Sequence, residues 1–292
     1  MSRTLKRLLH WLGNVMALFG VAFVVYRLSI YREQLDAFHA WWLILGLVLL
    51  SAASGILLGG GWWFLLRRQL RAAAPSLPWA ILAYGVSQLA KYLPGNIFHF
   101  ASRQALGMSA GIPAGVLLGS VFLELLTIVS VACGFALLAL PLLGAVPYPL
   151  AGGAFVLALL AIPAALWRMR GADFSCAWLA YSLYLGLAAA VFCVLLFSVK
   201  GGSAAATPTF ILACAGAYVL AWLAGLVIPG VPAGIGVREF VLLFLLKGTV
   251  GEADLLLAVL LGRVVTTAGD CLYYLVSVLG MAALKDIHHA PR

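Results

Sequence analysis

Long uninterrupted apolar runs limit this chain's possible folds more than any other feature. A helix crossing ~30 Å of hydrocarbon needs about 20 residues. Runs of roughly that length or more cover Leu8 to Ile30, Trp41 to Leu66, Ile112 to Leu140, Leu150 to Trp167, Cys176 to Val199 and Ala253 to Leu284. With 65% hydrophobic and only 9% charged residues among 292, little chain remains for a soluble catalytic domain. The expected fold class is therefore all-α integral membrane, with about six full spans.

Two segments break the pattern. Pro78 to Gly107 and Pro208 to Lys247 hold apolar stretches interrupted by Pro and Gly, with charged residues just past each break. Such segments read as re-entrant or broken-helix hairpins, which a membrane tolerates only where protein or a water-filled cavity satisfies the freed backbone. The order span, span, hairpin, span then occurs twice, starting from opposite sides. This is an inverted-topology repeat, with residues 1–145 as the first membrane half and 146–292 as the second, together one structural unit. Arg103 follows Pro94 by nine residues and Arg238 follows Pro229 by nine, which reinforces the repeat.

The formal charge is +9. On a soluble domain such an excess would suggest nucleic acid; here the asymmetry of loop charges explains it, and no nucleic-acid partner is expected. With both termini cytoplasmic, Arg3, Lys6, Arg7, Arg67, Arg68, Arg71, Arg168, Arg170, Lys285 and Arg292 lie inside, against Arg27, Arg32, Lys200 and Lys247 outside. Arg3, Lys6 and Arg7 before the first run have the order of a secretory signal. That run is too long for one and lacks a cleavage site, so it reads as an uncleaved span. Cys133, Cys176, Cys193, Cys214 and Cys271 sit in apolar runs at no metal-binding spacing and read as small buried hydrophobes. Trp41, Trp42, Trp62 and Trp63 read mainly as interfacial, with Trp62 and Trp63 able to sit deeper.

Seven ionisable residues fall within apolar segments: Lys91, Arg103, Glu124, Arg238, Glu239, Arg263 and Asp270. Each costs about 2.5–3.5 kcal/mol at a helix centre on insertion scales, so each needs a partner, a cavity or the interface. Arg263, Thr266, Thr267 and Asp270 follow helical spacing and form one inward stripe; Ser120, Glu124 and Thr127 form a shorter one. Adjacent Arg238 and Glu239 cannot share a helix face, so one is free for ligand while the other braces the protein. A purely structural network is the alternative, pairing Glu124 with Arg238 or Asp270 with Arg103, and Lys91 can snorkel to the headgroups instead. Arginine offers planar bidentate donors to phosphate, and Gly230, Gly234 and Gly236 let backbone N–H groups approach an oxyanion before a half-helix begins at Val237. Tight helix contact is the other use for such glycines. His99 has no carboxylate nearby in sequence and reads as a packing or interface residue. No metal, cofactor or nucleophile motif stands out, so no enzymatic activity is expected.

The strings KYLPGNIFHFASRQALG (Lys91 to Gly107) and IPGVPAGIGVREFVLLFLL (Ile228 to Leu246) resemble the two signature regions of the lysylphosphatidylglycerol synthase transmembrane region family. Pro94, Gly95, Asn96, Pro229 and Gly230, with Gly234 and Gly236, form the hairpin backbone of that resemblance. The sequence stops at Arg292 soon after its last run, so the resemblance implies the membrane module without the synthase domain. It implies a translocator of an anionic phospholipid or lipid-linked headgroup, in the bacterial cytoplasmic membrane. The alternative expectation is a non-transporting accessory subunit of a lipid- or glycan-pathway enzyme. On the translocator reading, Arg103 and Arg238 share one cavity, with Glu124, Glu239, Arg263, Asp270 and Lys91 around them.

Overall fold

A computed structural model of the chain describes residues 41–93, 97–199, 207–228, 234 and 236–289, with side chains to residue 284. The expected span from Leu8 to Ile30 and the residues Pro94, Gly95, Asn96, Pro229 and Gly230 lie outside the described residues. All regular structure among the described residues is helical: α1 Trp41–Leu70, α2 Leu77–Gln88, α3 Phe98–Ser109, α4 Ala114–Ala139, α5 Tyr148–Arg170, α6 Ala172–Val199, α7 Pro208–Val227, α8 Val237–Leu245 and α9 Glu252–His289. Short 3-10 turns extend α1 (Arg71–Ala73), α2 (Leu89–Tyr92) and α4 (Leu140–Leu143).

Local chemistry sets the ends. Ser76 Oγ accepts the Trp79 amide at the start of α2, and Thr207 Oγ1 accepts the Phe210 amide at the start of α7. In both helices a proline occupies the first turn, where its missing N–H costs nothing. Gly171, at φ 95°, separates α5 from α6 and donates its amide back to the Leu166 and Trp167 carbonyls.

Six helices are long and apolar enough to cross a membrane: α1, α4, α5, α6, α7 and α9. Their outer faces carry exposed Phe122, Leu126, Leu157, Leu160, Trp167 and Leu279, while Trp62, Leu65, Leu117, Tyr181 and Leu185 are fully buried between α1, α4 and α6. Charge-poor apolar helices with apolar outsides make an integral membrane protein.

Five of the six expected spans match α1, α4, α5, α6 and α9. The second irregular segment departs from the expectation of two half-helices. Its first limb, α7, is 20 residues long and qualifies as a span, because the first break after Pro208 comes only at Ile228. The first segment does divide into short pieces: α2 and α3 have 12 residues each, about 18 Å at 1.5 Å per residue, too short to cross alone. They pack on one another, as α7 does on the nine-residue α8.

α1 packs on α6, and around that pair α2 contacts α9 while α7 contacts α4. α3 lies on α4, and α8 on α9. The tryptophans divide: Trp41 and Trp42 are exposed at the start of α1, as interfacial residues would be, whereas Trp62 is 1% exposed and donates Nε1–H to Ser120 Oγ at 3.0 Å. Trp63 is half-buried and donates to the Pro75 carbonyl. Cys193 and Cys214 are buried as expected, but Cys133 and Cys271 face outward, since a thiol is apolar enough for either side of a membrane helix.

Candidate functional site

A cavity of about 110 Å³ lies where α1, α2, α3, α4, α6, α7, α8 and α9 converge. Its polar wall comes chiefly from the α9 stripe: Arg263, Thr266, Thr267 and Asp270 all line it, as their helical spacing requires. Lys91, Tyr92, His99 and Glu124 come from the first half, and Tyr184, Tyr218, Trp222 and Arg238 from the second. A smaller space of about 20 Å³, lined by Phe192, Leu242 and Val259, adjoins Arg238, Arg263 and Thr266 from the other side.

Three ion pairs surround this space, one buried and two partly buried. The Arg103 guanidinium on α3 grips Glu124 on α4 with both terminal nitrogens, one bond being Nη1 to Oε1 at 3.2 Å and the other Nη2 to Oε2. Both side chains are 1% exposed. Tyr84 donates its hydroxyl to Glu124 Oε1 at 2.8 Å. The Arg103 guanidinium carbon lies 4.3 Å from the Tyr84 ring centroid, 4.9 Å from Trp62 and 5.5 Å from Phe100. An aromatic box thus offsets the dehydration of the charge.

The second pair braces the other broken segment. Arg263 Nε donates to Glu239 Oε1 at 2.7 Å, and its Nη2 reaches Glu239 Oε2 at 3.1 Å and the Gly234 carbonyl at 3.2 Å. Glu239 Oε2 also accepts the Gly236 amide at 2.7 Å, capping α8. In the third pair Lys91 Nζ lies 2.7 Å from Asp270 Oδ2, which also accepts the Tyr92 hydroxyl at 2.5 Å. Asp270 on α9 therefore holds the turn just before the first break, and Arg263, two helical turns earlier, holds the loop of the second. Both irregular segments are anchored to one face of one helix.

Arg238 is left over. No carboxylate among the described residues pairs with it; its Nε is buried without a hydrogen-bond partner, and its guanidinium carbon lies 5.8 Å from the Trp222 ring centroid. Two glycines shape its berth. A Cβ on Gly225 would meet Arg238 Nε and Gly234 Cα, each at 3.0 Å, and Gly234 has φ 70°, so the helix end and the loop touch only because neither residue carries a side chain.

These placements revise several expectations. The pairs are Arg103–Glu124, Arg263–Glu239 and Lys91–Asp270, not Glu124–Arg238 or Asp270–Arg103. Arg103 does not line the cavity that Arg238 lines; Glu124, bonded to it, stands between. The Gly236 amide before α8 is not open to an anion either. Glu239 already occupies the Gly236 amide, because a carboxylate three residues into a helix reaches the cap on its own. Lys91 pairs with Asp270 rather than snorkelling outward. His99 sits at the cavity, 8% exposed, its ring over Phe100 and its Nδ1 without a partner, not at an interface. The tyrosines Tyr84, Tyr92, Tyr184 and Tyr218 were not singled out from the sequence. Their only signal was falling near the breaks or facing inward on apolar helices.

Comparison with protein-family models, with curated proteins and with solved structures finds no match for this chain.

Proposed function

We propose that the protein is a translocator of an anionic lipid or lipid-linked headgroup, and that Arg238 is its headgroup contact. The observation that carries this reading is a guanidinium with no carboxylate among the described residues, in a polar cavity within an apolar bundle, while the other described cations lining that cavity each have one. Leaving a cation unpaired inside a membrane protein is costly unless a ligand or water meets it. A headgroup phosphate satisfies the bidentate fork while the tails stay in lipid.

Exchange of helix partners between halves supports an inverted repeat as the moving frame. Exchanging α1 with α6, α2 with α7, α3 with α8 and α4 with α9 maps the contact of α2 with α9 onto that of α7 with α4, and α3 with α4 onto α8 with α9. The latches follow the same exchange with the charges reversed: Arg103 on α3 to Glu124 on α4, Glu239 on α8 to Arg263 on α9. Rocking of two such halves would expose Arg238 to either leaflet in turn. The resemblance of the two Pro-Gly strings to the lysylphosphatidylglycerol synthase membrane region points the same way, with the bacterial cytoplasmic membrane as location, and the asymmetry of loop charges favours both termini inside.

The test is reconstitution of the purified chain in liposomes carrying a fluorescent anionic lipid whose outer-leaflet copies are quenched by a membrane-impermeant reductant. Quenching beyond the outer-leaflet half, without added partners, supports translocation. Quenching that stops at half, with co-purification of a lipid- or glycan-pathway enzyme, supports the accessory-subunit reading instead.

A further inference from the structure

The charge balance of the cavity does more than favour an anion; it limits the anion's charge. Among the described residues, four cations lie on or just behind the cavity wall, Lys91, Arg103, Arg238 and Arg263, against three carboxylates, Glu124, Glu239 and Asp270. Each carboxylate is already held by a cation of its own, and two of the three also accept a tyrosine hydroxyl. Among the described residues the uncompensated charge is one. We propose that the site selects a singly charged phosphodiester and rejects phosphomonoester dianions and diphosphates; this rests on the translocator reading above and specifies its substrate class.

The selection follows from electrostatics. A monoanion on Arg238 leaves the site neutral, whereas a dianion leaves one unpaired negative charge facing Glu124 and Asp270, in surroundings where burying a charge is expensive. Beside the paired Arg263, the wall also carries Tyr184, Tyr218, Trp222, Thr266 and His99. The tyrosine and threonine hydroxyls and the Trp222 ring can donate to or stack on whatever the diester carries without adding charge.

The experiment is isothermal titration of the full purified chain in detergent with dihexanoyl phosphatidylglycerol, a diester, and dihexanoyl phosphatidic acid, a monoester. A monoester's second ionisation lies near pH 6, so at pH 8 only about one molecule in a hundred is singly charged. The expected result is binding of the diester at pH 8 and roughly 100-fold weaker binding of the monoester. Lowering the pH to 6 should strengthen monoester binding about 50-fold and leave diester binding unchanged, a comparison that needs no variant. Arg238→Ala should abolish diester binding. Dimethyl phosphate separates the sources: binding as tight as that of the lipid assigns a free phosphodiester, and much weaker binding assigns the lipid. A monoester bound at pH 8 as tightly as the diester, or diester binding that survives Arg238→Ala, overturns the proposal. Selective diester binding without flipping in liposomes would sink translocation but not this inference; flipping without charge selectivity would do the reverse.

Discussion

Glu124→Gln isolates the energetic core of the first half. The substitution keeps the shape of the side chain and removes its charge, leaving Arg103 ionised at 1% exposure among Trp62, Tyr84 and Phe100. One guanidinium bond is lost outright, because the amide NH2 donates and cannot accept, while the remaining guanidinium bond and that of the Tyr84 hydroxyl go to a neutral amide oxygen in place of a carboxylate. Removing one partner of a buried pair costs about 3–5 kcal/mol, chiefly because the surviving charge stays buried. At ~2–4 °C per kcal/mol this corresponds to a drop of about 6–20 °C in the midpoint of a heating series followed by fluorescence-detected size exclusion. The double variant Arg103→Gln/Glu124→Gln removes both charges and should recover most of that loss, since replacing a whole buried pair is often close to neutral. A single variant within ~2 °C of the parent, or a double variant less stable than the single, refutes the assignment of Arg103 and Glu124 as a buried mutual pair.

Other perturbations read other contacts. Asp270→Asn should lower the midpoint less than Glu124→Gln, because the Lys91 side chain keeps 22% exposure and can hydrate, and adding Lys91→Met should restore part of it. Gly225→Ala places a Cβ 3.0 Å from both Gly234 Cα and Arg238 Nε; overpacking of about 1–3 kcal/mol and lost headgroup binding are expected, measured by melting and titration. In a chain cleared of its five cysteines, Ser76→Cys and Ser109→Cys should label from one side of the membrane and Gly251→Cys from the other. Ser76 and Ser109 on opposite sides would make α2 and α3 a crossing and remove the inverted repeat.

Helical periodicity made the faces legible, and little beyond them. The stripe Arg263, Thr266, Thr267, Asp270 falls on the cavity because residues at that spacing share a side of any helix, whatever its neighbours. The division of labour between Arg238 and Glu239 follows from the same geometry: Glu239 braces the loop and Arg238 turns to the cavity. Which charges meet was not legible, since pairing depends on how helices cross, and only the contact of α3 with α4 brings Arg103 to Glu124. Composition also hid the length of α7, whose Pro208 reads as a break but sits harmlessly in a first turn. Trp62 shows the limit of the aromatic-belt rule: near a helix end in sequence, it is buried because Ser120 accepts its N–H and Arg103 lies against its ring.

The central claim is that Arg238 holds the headgroup through its planar fork, and the most direct measurement is the liposome quenching assay on Arg238→Lys and Arg238→Ala beside the parent. Lysine keeps the charge but loses the bidentate geometry, so the account predicts strongly reduced translocation by the lysine variant and none by the alanine variant, with both melting close to the parent. Normal translocation by Arg238→Ala would contradict it.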